Sequence, residues 1–344
     1  MTATVDNPIL VADVGGTNLN LALLAPQGHG YRLLRKDRFS TQEEPSLLGP
    51  LQRFLAADPS VRPDRACLSG AGPVVDQHIH LTNAPWDMDG AALARALGIP
   101  VRLINDFTAL SCGVLVLDLD DPRQALPLPH GDGSLPRTDP QGLALVVGAG
   151  TGLGAGFIVH TPQGPRPYPS EGGHIGLPVF DDDSLALWKH LADGLPGPPG
   201  AEMAVSGQGL ARIFRFLLES GRVPGTAATA AVLALPAPNQ PAAISARAGG
   251  DPACGRAMTL FVDLYARVCA ELCAAFLPTG GLFLAGGIAA KNAAHFLDEG
   301  RFMARFERNY RAHLDRLART TPVFLVRDYD LSLYGAAHAL ACLG

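Results

Sequence analysis

The stretch PILVADVGGTNLNLALL, residues 8–24, decides the fold. Its first half is an unbroken apolar run, ILVADV, and its second half alternates polar and apolar as NLNLALL. Gly15 and Gly16 stand between them. Alternation with period two fits a pleated strand, and a Gly-Gly break between two such runs predicts a hairpin. An opening strand that ends in a polar glycine turn is a usual start for an α/β nucleotide-binding domain.

Outward from this hairpin, patterning predicts a helix over 46–57, a strand over 65–69 and a further strand in HIHLTN (78–83). A helix over 88–97 is expected to end at Gly98, whose freedom at positive φ suits a helix C-terminus. VRLIND (101–106) reads as a buried strand, and 118–142, rich in Pro, Asp and Gly, as an irregular connection near a domain boundary. The strand LALVVGAG (143–150) and its successor GAGFIV (154–159) follow. Helices are expected over 201–219 and 254–276, then the strand GGLFLAGGI (280–288), a helix over 301–317, the strand PVFLVRD (322–328) and a small-residue helix from 333. Both halves contain an apolar strand ending in a glycine turn, which suits two related α/β lobes.

The bulk numbers narrow the function classes. With 344 residues there is room for two domains, and 47% hydrophobic against 17% charged residues provides a large core. A net charge of −5 argues against nucleic-acid binding. The six cysteines, Cys67, Cys112, Cys254, Cys269, Cys273 and Cys342, form no CxxC pair, so a structural zinc site is not expected. Cys269 and Cys273, four apart in an apolar helical stretch, read as core residues. No signal peptide or membrane span is visible, and a soluble cytoplasmic protein is expected.

Three glycine turns each follow an apolar strand: Asp13 to Asn18, Gly148 to Gly152, and Ala285 to Gly287. Glycine lets backbone N–H groups approach an anion closely, and Thr17 and Thr151 add hydroxyl donors. None carries the GK[ST] ending of a Walker loop, so a P-loop fold is disfavoured. GTGLGA (150–155) does match the GxGxxA dinucleotide fingerprint, with Glu171 near the expected distance. AGFIVH then reads as strand instead of the helix that fingerprint needs, so a dehydrogenase fits poorly.

The polar candidates come next. Asp106 stands at a strand-to-helix junction, where it reads either as a helix cap or as a general base aimed at a substrate hydroxyl. Glu171 and His174 flank a Gly-Gly turn and offer acceptors and a donor to vicinal sugar hydroxyls, although alone they read as a solvated loop tip. Glu202 lies at an expected helix start, where a carboxylate is favourable in any case. Trp86 reads as a pocket wall or as core.

ADVGGTN, LTNAPW, INDFTAL, GAGTGLG, SEGGH, AEMAVSGQGL, LAGGI and DYDLSLYGAAH follow one another in an order that resembles the bacterial glucokinase family. That family lies within the hexokinase, actin and Hsp70-like ATPase superfamily. The resemblance spans nearly the whole chain. It implies a two-lobed actin-like (ribonuclease H-like) α/β fold with a cleft between the lobes. The small domain would comprise 1–111 plus 328–344, and the large one 112–327. It further implies a glycolytic kinase that moves the γ-phosphoryl group of ATP to the 6-hydroxyl of glucose, with Asp106 as the base. Asn105, Asp106, Glu171, His174 and Glu202 would bind the sugar. Asp13, Gly15, Gly16, Thr17, Asn18, Gly150 and Thr151 would hold the phosphates, and Gly286 and Gly287 the adenosine. Asp13 would organise Mg²⁺ through water, and a homodimer is expected. DxGGT and ExGH also resemble the ROK kinases and repressors. However, LPVFDDDS stands where their cysteine-rich zinc motif would follow EGGH, and with the first strand opening the sequence a helix-turn-helix domain is not expected ahead of it. Kinases for mannose, fructose or glucosamine, and a catalytically silent sugar sensor on this fold, are the competing expectations.

Overall fold

The opening stretch folds as two interior strands of a five-stranded sheet. A computed structural model describes residues 7–81 and 86–343. Ile9–Val14 (β1) and Asn18–Gln27 (β2) form the expected antiparallel hairpin, with Val14 opposite Leu19, and Gly30–Ser40 (β3) pairs outside β2. Arg65–Gly70 (β4) lies parallel to β1 on its other side. Val74–Val75 (β5), His78–His80 (β6) and Asp87–Asp89 (β7) make a separate small sheet. Val101–Asn105 (β8) completes the main sheet in the order β3-β2-β1-β4-β8. Its central strands are apolar on both faces because both are covered. Leu10, Ala12 and Leu19 pack with Leu51 and Phe54, whereas Ile9, Val11 and Ala22 pack with Leu333 and Ala336 of the closing helix Leu331–Cys342.

The second sheet repeats that plan. Ala125–Pro127 (β9) is an edge strand. Ala144–Ala149 (β10) and Leu153–Thr161 (β11) form an antiparallel hairpin, and Gly164–Ser170 (β12) extends it. Gly281–Ala285 (β13) and Val323–Val326 (β14) follow as parallel strands, giving β12-β11-β10-β13-β14-β9. A hairpin flanked by an outer strand on one side and two parallel strands on the other therefore occurs twice. The chain divides into two compact units: Met1–Asp118 with His160–Pro169 and Tyr329–Gly344, and Leu119–Val159 with Ser170–Asp328. Helix Pro252–Phe276 is the spine of the second core, and its buried Tyr265 hydroxyl donates to the Val147 carbonyl of β10 at 2.9 Å.

Several elements differ from the sequence expectation. The helix expected over 88–97 begins at Gly90, because Asp89 turns its carboxylate onto the Ala92 N–H at 3.0 Å and Met88 belongs to β7. Gly98 does close it, at φ 71°. The helix expected over 301–317 is two helices, Arg301–Glu307 and Ala312–Arg319. Glu307 is buried there, accepting from the Gly131 N–H (2.8 Å) and Arg319 Nε (2.8 Å) beside His130 Nδ1 (2.9 Å). The chain leaves the helix at Arg308, and Asp315 takes the Asn309 N–H at 2.8 Å. The segment 118–142, expected to be irregular, contributes the short β9. Trp86 is core, its indole N–H on the Glu44 carbonyl at 3.0 Å. Thr82 to Pro85 of the LTNAPW motif, including the end of the strand expected in HIHLTN, lie outside the described residues. Cys269 and Cys273 are buried, as expected. A close approach of Cys112 and Cys342, with Sγ atoms 3.4 Å apart, was not legible from spacing.

Candidate active site

In the first unit the β1–β2 turn is held from β3's end. Thr41 donates its N–H to the Thr17 carbonyl (3.0 Å) and its hydroxyl to the Gly15 carbonyl (2.9 Å). Gly15 N–H closes onto the Asn18 carbonyl at 2.9 Å, and Arg38 Nε reaches Asn18 Oδ1 at 3.0 Å. Asp13, the penultimate residue of β1, accepts from the Ser332 hydroxyl at 2.9 Å. Burial raises the Asp13 pKa, opposed by that hydrogen bond and by the positive charge of Lys36, which itself pairs with Asp330.

The helix-cap reading of Asp106 gives way to its neighbour. The cap of helix Asp106–Val114 is Asn105, whose Oδ1 accepts from Phe107 N–H (2.9 Å) and Thr108 N–H (3.2 Å) while its Nδ2 donates to the Gly72 carbonyl (3.0 Å). Asp106 is the first helical residue and accepts from Phe107 N–H at 2.8 Å. Burial, and then the negative charge of Asp13, push its pKa up to about 6. A carboxylate so placed is a stronger proton acceptor than an exposed one, yet is still ionised near neutrality. The helix behind it is fixed by contact with the closing helix. A Cβ on Gly113 would fall 2.4 Å from the Leu331 carbonyl oxygen, and one on Gly335 1.8 Å from that of Ala109.

In the second unit the β10–β11 turn closes with Gly150 N–H on the Gly152 carbonyl at 2.8 Å, and Thr151 is exposed. The residues after it are strand β11, as expected, so the turn does not open the helix that a dinucleotide fingerprint requires. Glu171 precedes and His174 ends the 3₁₀ turn Gly172–His174, with Nε2 and Oε2 3.7 Å apart and their side chains 62% (His174) and 92% (Glu171) exposed and so open to a ligand. Glu202 differs from expectation: it sits in the 3₁₀ turn Ala201–Met203, ahead of helix Gly207–Glu219, and its carboxylate accepts from the Leu153 N–H at 2.8 Å. The third glycine turn adjoins the second, since β13 runs parallel to β10 with Ala285 opposite Gly148. Gly286, at φ 86°, needs glycine both for that φ and because a Cβ would lie 2.7 Å from the Ala149 carbonyl oxygen. Gly287 begins the short helix Gly287–Lys291.

Thus Asp13, Gly15 to Asn18, Asn105 and Asp106 belong to the first unit, and Gly150, Thr151, Glu171, His174, Glu202, Gly286 and Gly287 to the second. Ser332 and Lys36 set the environment of Asp13; Ser332 stands within the DYDLSLYGAAH motif, but neither a Ser nor a Lys far from its partner has a local signature of that role.

The sequence profile of the glucokinase family matches residues 10–342. The chain belongs to the glucokinase family. Among relatives of this glucokinase-family chain, the glucokinase of Nostoc sp. is 32% identical over 97% of this chain and 99% of its own. That of Cupriavidus pinatubonensis is 34% identical over 97% and 92%. The crystal structure of glucokinase from an Antarctic psychrotroph superposes with a TM-score of 0.79 at 29% identity, covering 97% of this chain and 99% of that one. The fold of this glucokinase-family chain is accordingly the two-lobed α/β fold of the actin-like ATPases.

Proposed function

We propose that the chain transfers the γ-phosphoryl group of ATP to the 6-hydroxyl of glucose, giving glucose 6-phosphate and ADP at the entry to glycolysis. The observation that carries this reading is Asp106. Its neighbour does the capping, which leaves a desolvated carboxylate with pKa about 6 and no structural duty that an amide could not fill. As general base, Asp106 takes the proton of the 6-hydroxyl as that oxygen attacks phosphorus, while the leaving oxygen stays with ADP. Asn105, Glu171, His174 and Glu202 orient the sugar through its other hydroxyls. The turn from Asp13 to Asn18 and the turn at Gly150 and Thr151 supply phosphate oxygens with the Thr17 and Thr151 hydroxyls and with backbone N–H groups other than those of Gly15 and Gly150, which close the turns, and Gly286 and Gly287 leave room for adenosine.

Mg²⁺ suits the donor set. Among the described residues no group of three or more His, Cys, Asp and Glu could cage a metal ion, and Mg²⁺ is commonly held by one or two carboxylates plus phosphates and water. Asp13, with a second acid raising the local negative potential, is the residue that would hold it. When bound, the ion neutralises charge on the phosphate oxygens. Among the described residues no helix is long and apolar enough to cross a membrane, which suits the cytoplasmic location we assign, and we take the working form to be a homodimer.

A coupled ADP-release assay with glucose, mannose, fructose and glucosamine at fixed MgATP tests the reading. Turnover is expected with glucose as the best substrate. Absence of turnover with every hexose would support a silent sensor instead, and a better hexose would reassign the substrate.

A further inference from the structure

Two close contacts converge on the backbone of Leu153, the residue directly after the Gly150–Gly152 turn, and a third on Gly152 beside it. Its N–H donates to Glu202 Oε2 at 2.8 Å. Its carbonyl faces Gly173 so closely that a Cβ on that glycine would lie 1.8 Å from the oxygen. Gly152 in turn lies under the Glu202 carboxylate, where a Cβ would come within 2.4 Å of Oε2. On the far side of the turn, Gly207 N–H donates to the Gly150 carbonyl at 2.8 Å. The segment from Glu202 to Gly207, braced by Ser206 Oγ on the Glu202 carbonyl at 2.8 Å, therefore grips the turn at both ends. The Gly172–His174 turn is tied to the same segment, because Ala201 N–H donates to the Ile175 carbonyl at 2.7 Å.

We infer that Glu202 is a positioning residue that couples sugar occupancy to the shape of the Gly150–Gly152 turn. This rests on the reading of Glu202 as a sugar ligand and of that turn as a phosphate binder. One carboxylate oxygen holds the Leu153 amide, leaving the other to take a sugar hydroxyl. Sugar bound there fixes the carboxylate, the carboxylate fixes the Leu153 peptide, and the turn is ordered before nucleotide arrives. Linkage then requires sugar and nucleotide to strengthen each other's binding by the same factor.

The test is calorimetric titration of the intact protein with ADP, with and without saturating glucose, and the reciprocal titration. In the native protein glucose is expected to tighten ADP binding about fivefold or more. Glu202→Ala removes the link, and Gly152→Ala displaces the carboxylate, the flexible partner in that contact, without touching the sugar-binding groups at Glu171 and His174. In both variants the coupling factor, the ratio of ADP affinities with and without glucose, is expected to fall to about one, whatever the sugar-free ADP affinity. Both variants are to be shown folded by an unchanged cooperative melt. Native coupling retained in both would overturn the inference while leaving Glu202 a sugar ligand. Unchanged glucose affinity in Glu202→Ala would instead remove the sugar-ligand reading itself.

Discussion

Replacing Asp106 by Asn should give a protein that is more stable than the native one and almost inactive. The pKa of Asp106 rises from 3.8 to about 6 on folding, so between those values the folded chain binds more protons than the unfolded chain. Stability from this group is present below pH ~4 and falls as pH rises through about 6; above that the ionised carboxylate opposes folding. A shift of about two units corresponds to about 3 kcal/mol at neutral pH, and an amide carries no such charge. Asn would keep an oxygen for the Phe107 N–H, and Asn105 would still cap the helix. Thermal melting at pH 7.5 is therefore expected to shift up by several degrees, at about 2–4 °C per kcal/mol for units of this size. Loss of the base should lower kcat by about 10² to 10⁴, or roughly 3–5 kcal/mol of barrier, with glucose affinity by calorimetry little changed. In the native enzyme the same group predicts that kcat/KM falls with unit slope as pH drops through about 6, because the protonated carboxyl cannot accept the hydroxyl proton. Near-normal turnover in the variant would refute the assignment of the base. A lowered melting temperature would refute the view that Asp106 has no structural duty beyond what an amide can fill.

Glu171→Gln should raise the glucose KM with a smaller effect on kcat, since an exposed carboxylate beside His174 contributes binding and little stability; an unchanged KM in steady-state assays would place Glu171 outside the sugar site. Asn105→Ala should lower stability by about 1 kcal/mol through loss of the cap and should also raise the glucose KM. Chemical denaturation with glucose titration checks both effects, and a lost cap with unaltered KM would leave Asn105 purely structural.

The strands around the opening hairpin were legible because burial on alternate or on both faces writes itself into local composition, as in β1, β2, β8 and β10. Chain breaks caused by distant partners were not. Glu307 ends its helix by serving Gly131, more than a hundred positions earlier, and nothing in RFMARFERNY signals that. The site divides in the same way. Asp106 and the glycine turns stand in contiguous motifs, so their positions could be named, but which of Asn105 and Asp106 caps the helix depends on side-chain direction. The Glu202 carboxylate and Leu153 N–H are 49 positions apart, and only the folded chain joins them.

The twice-used sheet has a consequence for charge. Counting back from each hairpin turn, the position of Asp13 in β1, opposite Asn20, corresponds to Gly148 in β10, opposite Gly154. One scaffold copy thus presents an acid where the other presents bare backbone. The copies are alike in frame and unlike in electrostatics, with a carboxylate beside only one of the two turns. Asp in place of Gly148 would erase that polarity, giving both copies a negative charge where their strands end.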